Sequence, residues 1–204
     1  MIDLSQPRFI VLEGLDGSGK TTQANRLAGK FEEANLPHIV TRQPSNGPVG
    51  GIIRDVLRGD LPMENEAFAL LFAADRFQHY HEVIASNLAL GKHVICDRYY
   101  YSNMSNQGVD AAAMERVAAY NQAVMNARRP DIVFYLDIPP EECMRRIAAS
   151  RPEVSIYESV EQLKIQRQRY FDAFERLSAT DNIVIINASK RGDVMEQLWA
   201  HLIT

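Results

Sequence analysis

One short segment restricts the fold of this chain more than any other. Residues 14–21 read Gly-Leu-Asp-Gly-Ser-Gly-Lys-Thr, which fits the pattern G-x-x-x-x-G-K-[ST] without a gap. The apolar run Phe9–Leu12 precedes the segment, and a stretch with a helical pattern, at about 20–35, follows it. A strand that enters a glycine-rich loop and leaves as a helix is the context in which this pattern binds phosphate groups. The segment therefore predicts an α/β fold with a phosphate-binding loop, the P-loop.

The residue types in the P-loop suit a nucleotide that carries phosphates and a divalent metal ion. Glycines let backbone N–H groups approach a phosphate, and the N-terminus of the following helix adds partial positive charge. Lys20 supplies a cation for the β- and γ-phosphates, and the Thr21 hydroxyl suits Mg²⁺. The predicted ATP contacts in this segment are Gly14, Asp16, Gly17, Ser18, Gly19, Lys20, Thr21 and Thr22. The alternative, a chance glycine turn, fits the flanking strand and helix less well.

The P-loop alone indicates nucleotide binding and leaves the reaction open. A GTPase would normally carry an Asn-Lys-x-Asp segment that reads guanine, and the sequence has none. A motor or assembly ATPase is harder to exclude on the loop alone. The residues further along the chain have to separate that class from a kinase.

Apolar runs of strand length recur along the chain and alternate with helical patterns. The predicted strands are Phe9–Leu12, His38–Val40, Val94–Cys96, Ile132–Leu136 and Ile183–Ile186. The predicted helices lie at about 20–35, 67–90, 111–128, 140–149, 160–177 and 193–202. This alternation favours a parallel sheet covered by helices, since parallel neighbours need crossover connections. We expect a three-layer α/β/α fold with a five-stranded parallel sheet and with ligands at the carboxyl ends of the strands.

Composition narrows the partners and the compartment. The chain has 204 residues, of which 46% are hydrophobic, so residues 1–204 are expected to form a single domain. The net charge of −4 gives no basic field that would collect nucleic acid, and no apolar run approaches a membrane-spanning length. Cys96 and Cys143 lie far apart without metal-ligand spacing, which suits reduced thiols in a cytoplasmic protein. The expected partner is therefore a small molecule, with no nucleic acid and no membrane.

Several ordered motifs accompany the P-loop. They are Thr41-Arg42-Gln43-Pro44, Leu71-Phe72-Ala73-Ala74-Asp75-Arg76, Asp97-Arg98-Tyr99, Ser102, Gln107, Arg129-Pro130-Asp131 and Asn187-Ala188-Ser189. With these motifs the chain resembles the thymidylate kinase family from Phe9 to about Val194. The resemblance implies the reaction ATP + dTMP → ADP + dTDP, with ATP and Mg²⁺ as cofactors, in a protein that is expected to be a homodimer.

The resemblance also assigns residues that bind the acceptor. Phe72 and Arg76 are four positions apart, so a helix presents both on one face. In the family the phenyl ring stacks on the pyrimidine and the guanidinium donates to a base carbonyl. The alternative is that Phe72 belongs to the core and that Arg76 is a solvated surface charge, as would be expected for an isolated pair. For Arg54 the alternative is a helix-surface charge, and for Asp16, which would bind the sugar 3′-hydroxyl, it is a turn-stabilising role. The residues expected to bind dTMP are Asp16, Arg42, Arg54, Phe72, Arg76, Arg98, Ser102, Asn103, Asn106 and Gln107.

The dipeptide Asp97-Arg98 ends the third predicted strand, where a ligand-facing carboxylate is expected. By resemblance, Asp97 orders Mg²⁺ through water, with Thr21 as the other residue of the metal site. Arg98 would grip the acceptor phosphate, because a forked guanidinium suits a phosphate bidentately. Lys20 and Arg98 are thus two of the three expected catalytic residues. Pro44 corresponds to a proline that often follows a cis peptide bond in the family.

The third expected catalytic residue is an arginine that stabilises charge on the transferring phosphoryl group. In the family this arginine lies either in the P-loop or in a lid after the fourth strand. Position 17 is a glycine, so the loop does not supply it. The resemblance then implies a lid at about 146–158, with Arg151 as the catalytic arginine. Arg146 is expected to stack on adenine opposite residues 187–190, with ordinary helix-surface charge as its alternative.

Two positions depart from the family pattern. Asn106 stands where a tyrosine near the sugar 2′ position is common, and Gln43 stands where a glutamate is common. The smaller Asn106 side chain leaves room for a ribose hydroxyl, as in UMP. With both departures, dUMP or UMP is an alternative acceptor to dTMP. A kinase for another nucleoside monophosphate and a regulatory ATP-binding protein without kinase activity are the two alternatives that the sequence leaves open.

Overall fold

The sheet is the frame on which the rest of the chain is arranged. The computed structural model describes residues 2–150, 159–189 and 194–203. Within these residues five strands form one sheet in the order β2-β3-β1-β4-β5, and all neighbours are parallel. The strands are β1 (Phe9–Glu13), β2 (His38–Arg42), β3 (His93–Asp97), β4 (Ile132–Asp137) and β5 (Ile183–Asn187). The predicted five-stranded parallel sheet is confirmed, and each observed strand extends the predicted one by one or two residues.

Helices connect the strands and cover the sheet. In the described ranges they are α1 (Lys20–Glu33), α2 (Pro48–Arg58), α3 (Asn65–His79), α4 (Ser86–Ala89), α5 (Tyr100–Gln107), α6 (Ala111–Tyr120), α7 (Gln122–Ala127), α8 (Pro140–Ser150), α9 (Val160–Leu177) and α10 (Val194–Ile203). A π-helical turn, Tyr80–Ala85, joins α3 to α4, so the helix predicted at 67–90 contains one wider turn. The helix predicted at 111–128 is divided at Asn121. None of the described helices is both long and apolar enough to cross a membrane.

The middle of the sheet is buried on both faces. Every side chain of β1 and β3 is buried, although successive side chains of a strand point to opposite faces. Such strands require helices on both sides, which is why they read as continuous apolar runs. Helix α1 packs on α10, and α5 packs on α3, α6 and α9. The result is the expected three-layer α/β/α arrangement.

The order of the strands brings two distant motifs to one edge of the sheet. Strands β1 and β3 are direct neighbours. The P-loop leaves β1 after Glu13, and Arg98 follows β3, so both motifs start from the same edge. Glu13 reinforces this arrangement, because its buried carboxylate accepts hydrogen bonds from the Tyr99 N–H (2.7 Å) and the Ser102 hydroxyl (2.6 Å).

Candidate active site

The P-loop is packed so closely that two of its glycines have no room for a side chain. Gly14 has φ of 151°, and a Cβ there would lie 2.6 Å from Ser18 Oγ and 2.9 Å from the Leu136 carbonyl oxygen. Gly17 has φ of 78°, and a Cβ there would lie 2.6 Å from the carbonyl oxygen of Cys143 in α8. Both backbone conformations are ones that glycine adopts without strain. The loop therefore leaves no space for an arginine at position 17.

Lys20 is buried inside the loop. Its Nζ donates to the carbonyl oxygens of Gly14 (2.9 Å) and Leu15 (2.8 Å). Burial, together with the nearby charge of Arg98, lowers the pKa of Lys20 from 10.5 to about 8, and the carboxylate of Asp16 only partly opposes this. The charged lysine is thus poorly solvated, and an incoming phosphate would supply the anion that it lacks.

Oxygen atoms of a kind that could bind a magnesium ion lie where β3 ends. The Thr21 hydroxyl donates to Asp97 Oδ2 over 2.5 Å. The other oxygen, Asp97 Oδ1, is buried and has no hydrogen-bond partner among the described residues, and the same holds for the Ser18 hydroxyl. A carboxylate oxygen and hydroxyls, completed by water and substrate phosphates, are ligands that suit Mg²⁺. No group of three or more His, Cys, Asp or Glu side chains that could hold a metal occurs in the described ranges.

Arg98 reaches from the end of β3 back to the P-loop. Its backbone is left-handed (φ 75°), which is uncommon for a residue with a side chain. Its guanidinium donates to Asp16 Oδ1 (2.5 Å), the Ser102 hydroxyl (3.0 Å) and the Tyr170 hydroxyl (3.2 Å). Burial alone would lower the pKa of Arg98, but the carboxylates of Asp16 and Asp97 raise it above its ordinary value, so Arg98 stays charged.

One cavity of about 580 Å³ opens over these groups. The sequence-predicted residues that line it are Asp16, Gly17, Ser18, Gly19, Lys20, Thr21, Thr22, Arg42, Asp97, Arg98 and Arg146. Gln23, Arg26 and Gln43 also line the cavity and were missed. Arg26 lies one helical turn after Thr22 on α1, so helical spacing was a signal that could have found it. The volume lies in the range of pockets that hold small molecules.

Arg42 and Arg146 are the peripheral cations of this cavity. Arg42, the last residue of β2, is exposed. The Arg146 side chain is 10% exposed, and its Nε donates to Glu142 over 2.6 Å. Arg151, residues 152–158 of the predicted lid, and Lys190 of the predicted adenine wall lie outside the described residues. The assignments of the catalytic arginine and of the lid therefore stay predictions.

The remaining predicted acceptor residues lie outside the lining of the cavity, around Arg76. Arg76 is only 1% exposed, so the alternative of a solvated surface arginine is wrong. Phe72, one turn earlier on α3, is half-buried and packs on Phe68 with ring centroids 4.8 Å apart. Asn103 donates to Gln107 Oε1 over 3.0 Å. The structure thus places six of the predicted base-binding and sugar-binding residues on neighbouring helices, with Phe72 and Arg76 on α3 and with Ser102, Asn103, Asn106 and Gln107 on α5.

Two predicted residues stand at the margins of this group. The Arg54 guanidinium donates to the carbonyl oxygen of Ser45, just after the cis peptide bond between Gln43 and Pro44. Asn106 is exposed, and its Oδ1 accepts a hydrogen bond of 2.6 Å from Gln166 on α9. The polar group of Asn106 is therefore engaged by α9.

Two residues that support the site were missed. Tyr170, on α9, donates to Glu13 Oε2 (3.0 Å) and bonds the Ser102 hydroxyl (2.9 Å). Glu13 had a signal, since a carboxylate at the end of a buried apolar strand requires donors. Tyr170 had none, because nothing in a helix pattern distinguishes a tyrosine that packs from one that also binds.

Comparison with known proteins gives one consistent result. A family model described as thymidylate kinase matches residues 12–198. The chain is 39% identical over 185 residues to the "Probable thymidylate kinase" of Pyrococcus abyssi, which covers 88% of this chain and 87% of that protein. It is 39% identical over 186 residues to the protein of the same description from Methanococcus aeolicus, with 90% and 89% covered. The Methanocaldococcus jannaschii protein of that description is 36% identical over 183 residues, with 90% and 88% covered.

Proposed function

This chain belongs to the thymidylate kinase family, and from that premise we propose that it transfers the γ-phosphoryl group of ATP to dTMP and so forms ADP and dTDP. The observation that carries the proposal is the cavity that the P-loop shares with Asp97 and Arg98. A loop suited to donor phosphates and a buried arginine suited to an acceptor phosphate meet in it. A regulatory ATP-binding protein would not need the arginine that is suited to an acceptor phosphate.

On the donor side, the P-loop amides and Lys20 bind the phosphates of ATP. Lys20 exchanges the carbonyl oxygens of Gly14 and Leu15 for phosphate oxygens. Thr21 and Asp97 would hold Mg²⁺, directly or through water, and the ion would supply positive charge to the donor phosphates. The unpartnered Asp97 Oδ1 supports this assignment, since a buried carboxylate oxygen is normally satisfied.

On the acceptor side, Arg98 binds the phosphate of dTMP, with Arg42 and Arg54 as further cations. Arg98 is now paired with Asp16, so dTMP binding has to exchange partners: the phosphate takes the guanidinium, and Asp16 turns to the 3′-hydroxyl. Both partners keep a charged or polar contact through the exchange, which avoids leaving a buried charge unpaired.

The base binds between α3 and α5. Phe72 stacks on the pyrimidine, Arg76 donates to a ring carbonyl, and the amides of Asn103 and Gln107 complete the edge. Ser102 and Asn106 lie at the sugar. The half-buried ring of Phe72 and the buried charge of Arg76 support these roles, because the ring is left partly open to a ligand.

Arg151 remains our choice for the arginine that stabilises the transferring group, in a lid at about 146–158 of a single-domain protein. The crowding at Gly17 supports a source outside the P-loop. Arg146 stacks on adenine, and its mostly buried guanidinium beside the cavity agrees with that role.

The proposal is tested by steady-state rates with MgATP and dTMP, dUMP or UMP as acceptor. We expect dTMP to give the highest kcat/KM; a higher value for UMP would remove the thymidylate assignment, and no transfer to any acceptor would remove the kinase. Asn106→Tyr is the matched variant. Added bulk near the 2′ position should lower the rate on UMP more than the rate on dTMP.

We also propose a homodimer in the cytoplasm. On α3, Leu70 and Phe77 are 48% and 45% exposed and lie two turns apart on one face, which makes an apolar stripe. The adjoining helix α2 exposes Ile52. Cys96 and Cys143 are both buried and unpaired, which suits a reducing compartment. Sedimentation and cell fractionation test the two statements separately.

A further inference from the structure

Arg76 is held by four hydrogen bonds to neutral groups. Its Nε donates to Gln43 Oε1 (2.8 Å), its Nη1 to Asn103 Oδ1 (3.2 Å) and Asn121 Oδ1 (2.5 Å), and its Nη2 to the Tyr99 carbonyl oxygen (3.2 Å). A guanidinium has five N–H groups and no acceptor. These bonds occupy four of the N–H groups, and no described residue accepts a bond from the fifth, on Nη2, so a ligand can accept it.

The hydrogen bond from Arg76 to Gln43 determines which group donates in the hydrogen bonds from Gln43 to His79 and from His79 to Thr41. Because Arg76 can only donate, Gln43 must present its carbonyl oxygen Oε1 to Arg76. The Gln43 amide nitrogen then faces His79 Nδ1 at 3.1 Å, and an amide nitrogen can only donate. His79 Nδ1 must therefore carry no proton. The neutral ring carries its proton on Nε2, which donates to the Thr41 hydroxyl oxygen over 2.7 Å.

A protonated His79 cannot be accommodated in this chain of bonds. Both ring nitrogens of the cation are donors, so Nδ1–H would oppose the Gln43 amide N–H. Turning the Gln43 amide over would satisfy His79, but it would place the same N–H against Arg76 Nε–H. The cationic form of His79 and the observed orientation of Arg76 exclude each other.

We propose that Gln43 and His79 are positioning residues: a one-way hydrogen-bond relay from Thr41 to Arg76 that holds the base-reading guanidinium only while His79 is neutral. The inference rests on the proposed role of Arg76 in binding the acceptor base. It makes acceptor affinity, and not the transfer step, sensitive to acid.

The surroundings of His79 favour the neutral form. Burial lowers the pKa of His79 below its ordinary value of 6.5, and Arg76 lowers it further, whereas Asp75 and Glu82 oppose the shift. Asp75 is already engaged by Ser45, whose N–H and hydroxyl donate to it over 2.8 and 2.5 Å. His79 is therefore uncharged near neutral pH, and the relay is lost as the pH falls below the lowered pKa.

One substitution removes this conflict between hydrogen-bond donors while keeping the shape of the side chain. A glutamate at position 43 has two acceptor oxygens, so it can accept from Arg76 Nε and from the Nδ1–H of a protonated His79 at once. Gln43→Glu should therefore tolerate the His79 cation. His79→Gln is the second variant, because its neutral amide takes up no proton where a histidine titrates.

The test measures thymidine binding to the full chain by calorimetry between about pH 5.5 and 8. Thymidine carries no phosphate, so substrate titration does not enter. In the wild type we expect Kd to be constant near pH 8 and to rise toward about tenfold per pH unit below the His79 pKa, with proton release on binding. Gln43→Glu and His79→Gln should give flat profiles. Parallel profiles for the wild type and Gln43→Glu, or a flat wild-type profile, would overturn the relay.

A kinetic readout separates positioning from a general structural effect. With dTMP at saturation, kcat of His79→Gln should change less than about twofold while KM rises, since uniform binding is lost. Equal losses in kcat and kcat/KM count against the relay. If the wild type binds thymidine and phosphorylates dTMP but shows no acid sensitivity, only this inference fails; if it does neither near pH 8, the proposed function fails with it.

Discussion

The Thr21 hydroxyl donates a hydrogen bond of 2.5 Å to Asp97 Oδ2, although the two residues are 76 positions apart in the sequence. The contact exists because β1 and β3 are adjacent, so the start of α1 and the end of β3 meet at one edge of the sheet. It leaves the buried Asp97 Oδ1 without a hydrogen-bond partner in the part of the chain that the structure describes. The pair is where we expect the metal-dependent behaviour of the protein to originate.

Replacing Asp97 by Asn should weaken magnesium use while leaving the fold intact. The amide keeps the size of the side chain and an acceptor for Thr21, but it removes the charge that attracts the ion. We expect the Mg²⁺ concentration at half-maximal rate to rise by about tenfold or more, and chelation of the ion to abolish the rate in both proteins. Thr21→Ser, which keeps the hydroxyl, is the control. An unchanged Mg²⁺ dependence in Asp97→Asn would contradict the metal site.

Replacing Lys20 by Met should lower activity and stabilise the ligand-free protein. The transferring phosphates lose a cation, for which we expect kcat to fall by at least about 100-fold. The lowered pKa of Lys20, about 8 against 10.5, means that its charge costs folding free energy at neutral pH, on the order of 3 kcal/mol. Urea unfolding without nucleotide checks this. A lower free energy of unfolding in the variant would show that the hydrogen bonds of Lys20 stabilise the loop by more than its buried charge destabilises it.

Nucleotide affinity should fall in alkaline solution as Lys20 loses its proton. Above about pH 8 the free protein loses the Lys20 proton, so a bound phosphate must recover it from solvent, and Kd for MgADP should rise toward about tenfold per pH unit. Below that pH the lysine is already charged, and Kd should be constant. Calorimetry from about pH 7 to 9.5 measures the profile, with Lys20→Met as the variant expected to be flat. A sloping profile in that variant would assign the effect to another group.

Two glycines in the P-loop provide a matched pair. Gly17 and Gly19 both have positive φ, 78° and 94°, but only Gly17 has a neighbour in the way of a Cβ, the Cys143 carbonyl oxygen at 2.6 Å. Alanine at either position costs about 1 to 2 kcal/mol of backbone strain, and at Gly17 overpacking adds about 1 to 3 kcal/mol. In urea unfolding, the free energy of unfolding should therefore be lower for Gly17→Ala than for Gly19→Ala. Equal stabilities would mean that α8 yields to the added methyl group.

A charge on the apolar stripe of α3 should separate the proposed dimer. Phe77 belongs to that stripe and is 45% exposed, so Phe77→Glu would place an unpaired carboxylate in the proposed interface. Sedimentation should show a monomer for this variant and a dimer for the wild type. Leu90→Glu is the control, since Leu90 is 72% exposed beyond α4 and away from the stripe. A dimer that survives Phe77→Glu would place the interface elsewhere.

The strands could be predicted from the sequence because their residues form continuous apolar runs. Strands β1, β3 and β4 are buried on both faces, so their apolar runs were visible without any periodicity. Helix α5 shows the opposite case. Seven of its eight residues are buried, all but Asn106, and they include Ser102 and Asn103. A helix surrounded on all sides has no apolar stripe, and its polar side chains are satisfied only by tertiary partners, so the pattern gave no signal.

Contacts within the site could be predicted where the order of the strands brings residues together, but not where they depend on the direction of a hydrogen bond. Residues at the carboxyl ends of adjacent strands, such as Asp97 and the P-loop, could be expected to meet. The link from Arg76 through Gln43 to His79 could not, because it depends on which atom of an amide faces which neighbour. Sequence spacing places such a residue on a helix face but carries no information about the direction of its hydrogen bonds.

The groups that hold Arg76 are all neutral, so its guanidinium keeps a full positive charge at the proposed base site. A base that turns a carbonyl oxygen toward this charge is attracted, whereas cytosine, with an amino group at that ring position, is repelled. If Arg76 reads the base as proposed, we expect electrostatic repulsion to disfavour cytidine nucleotides whatever their size. Thymine and uracil present the same charges, so only the space around one methyl group separates them, a difference worth about 1 to 3 kcal/mol.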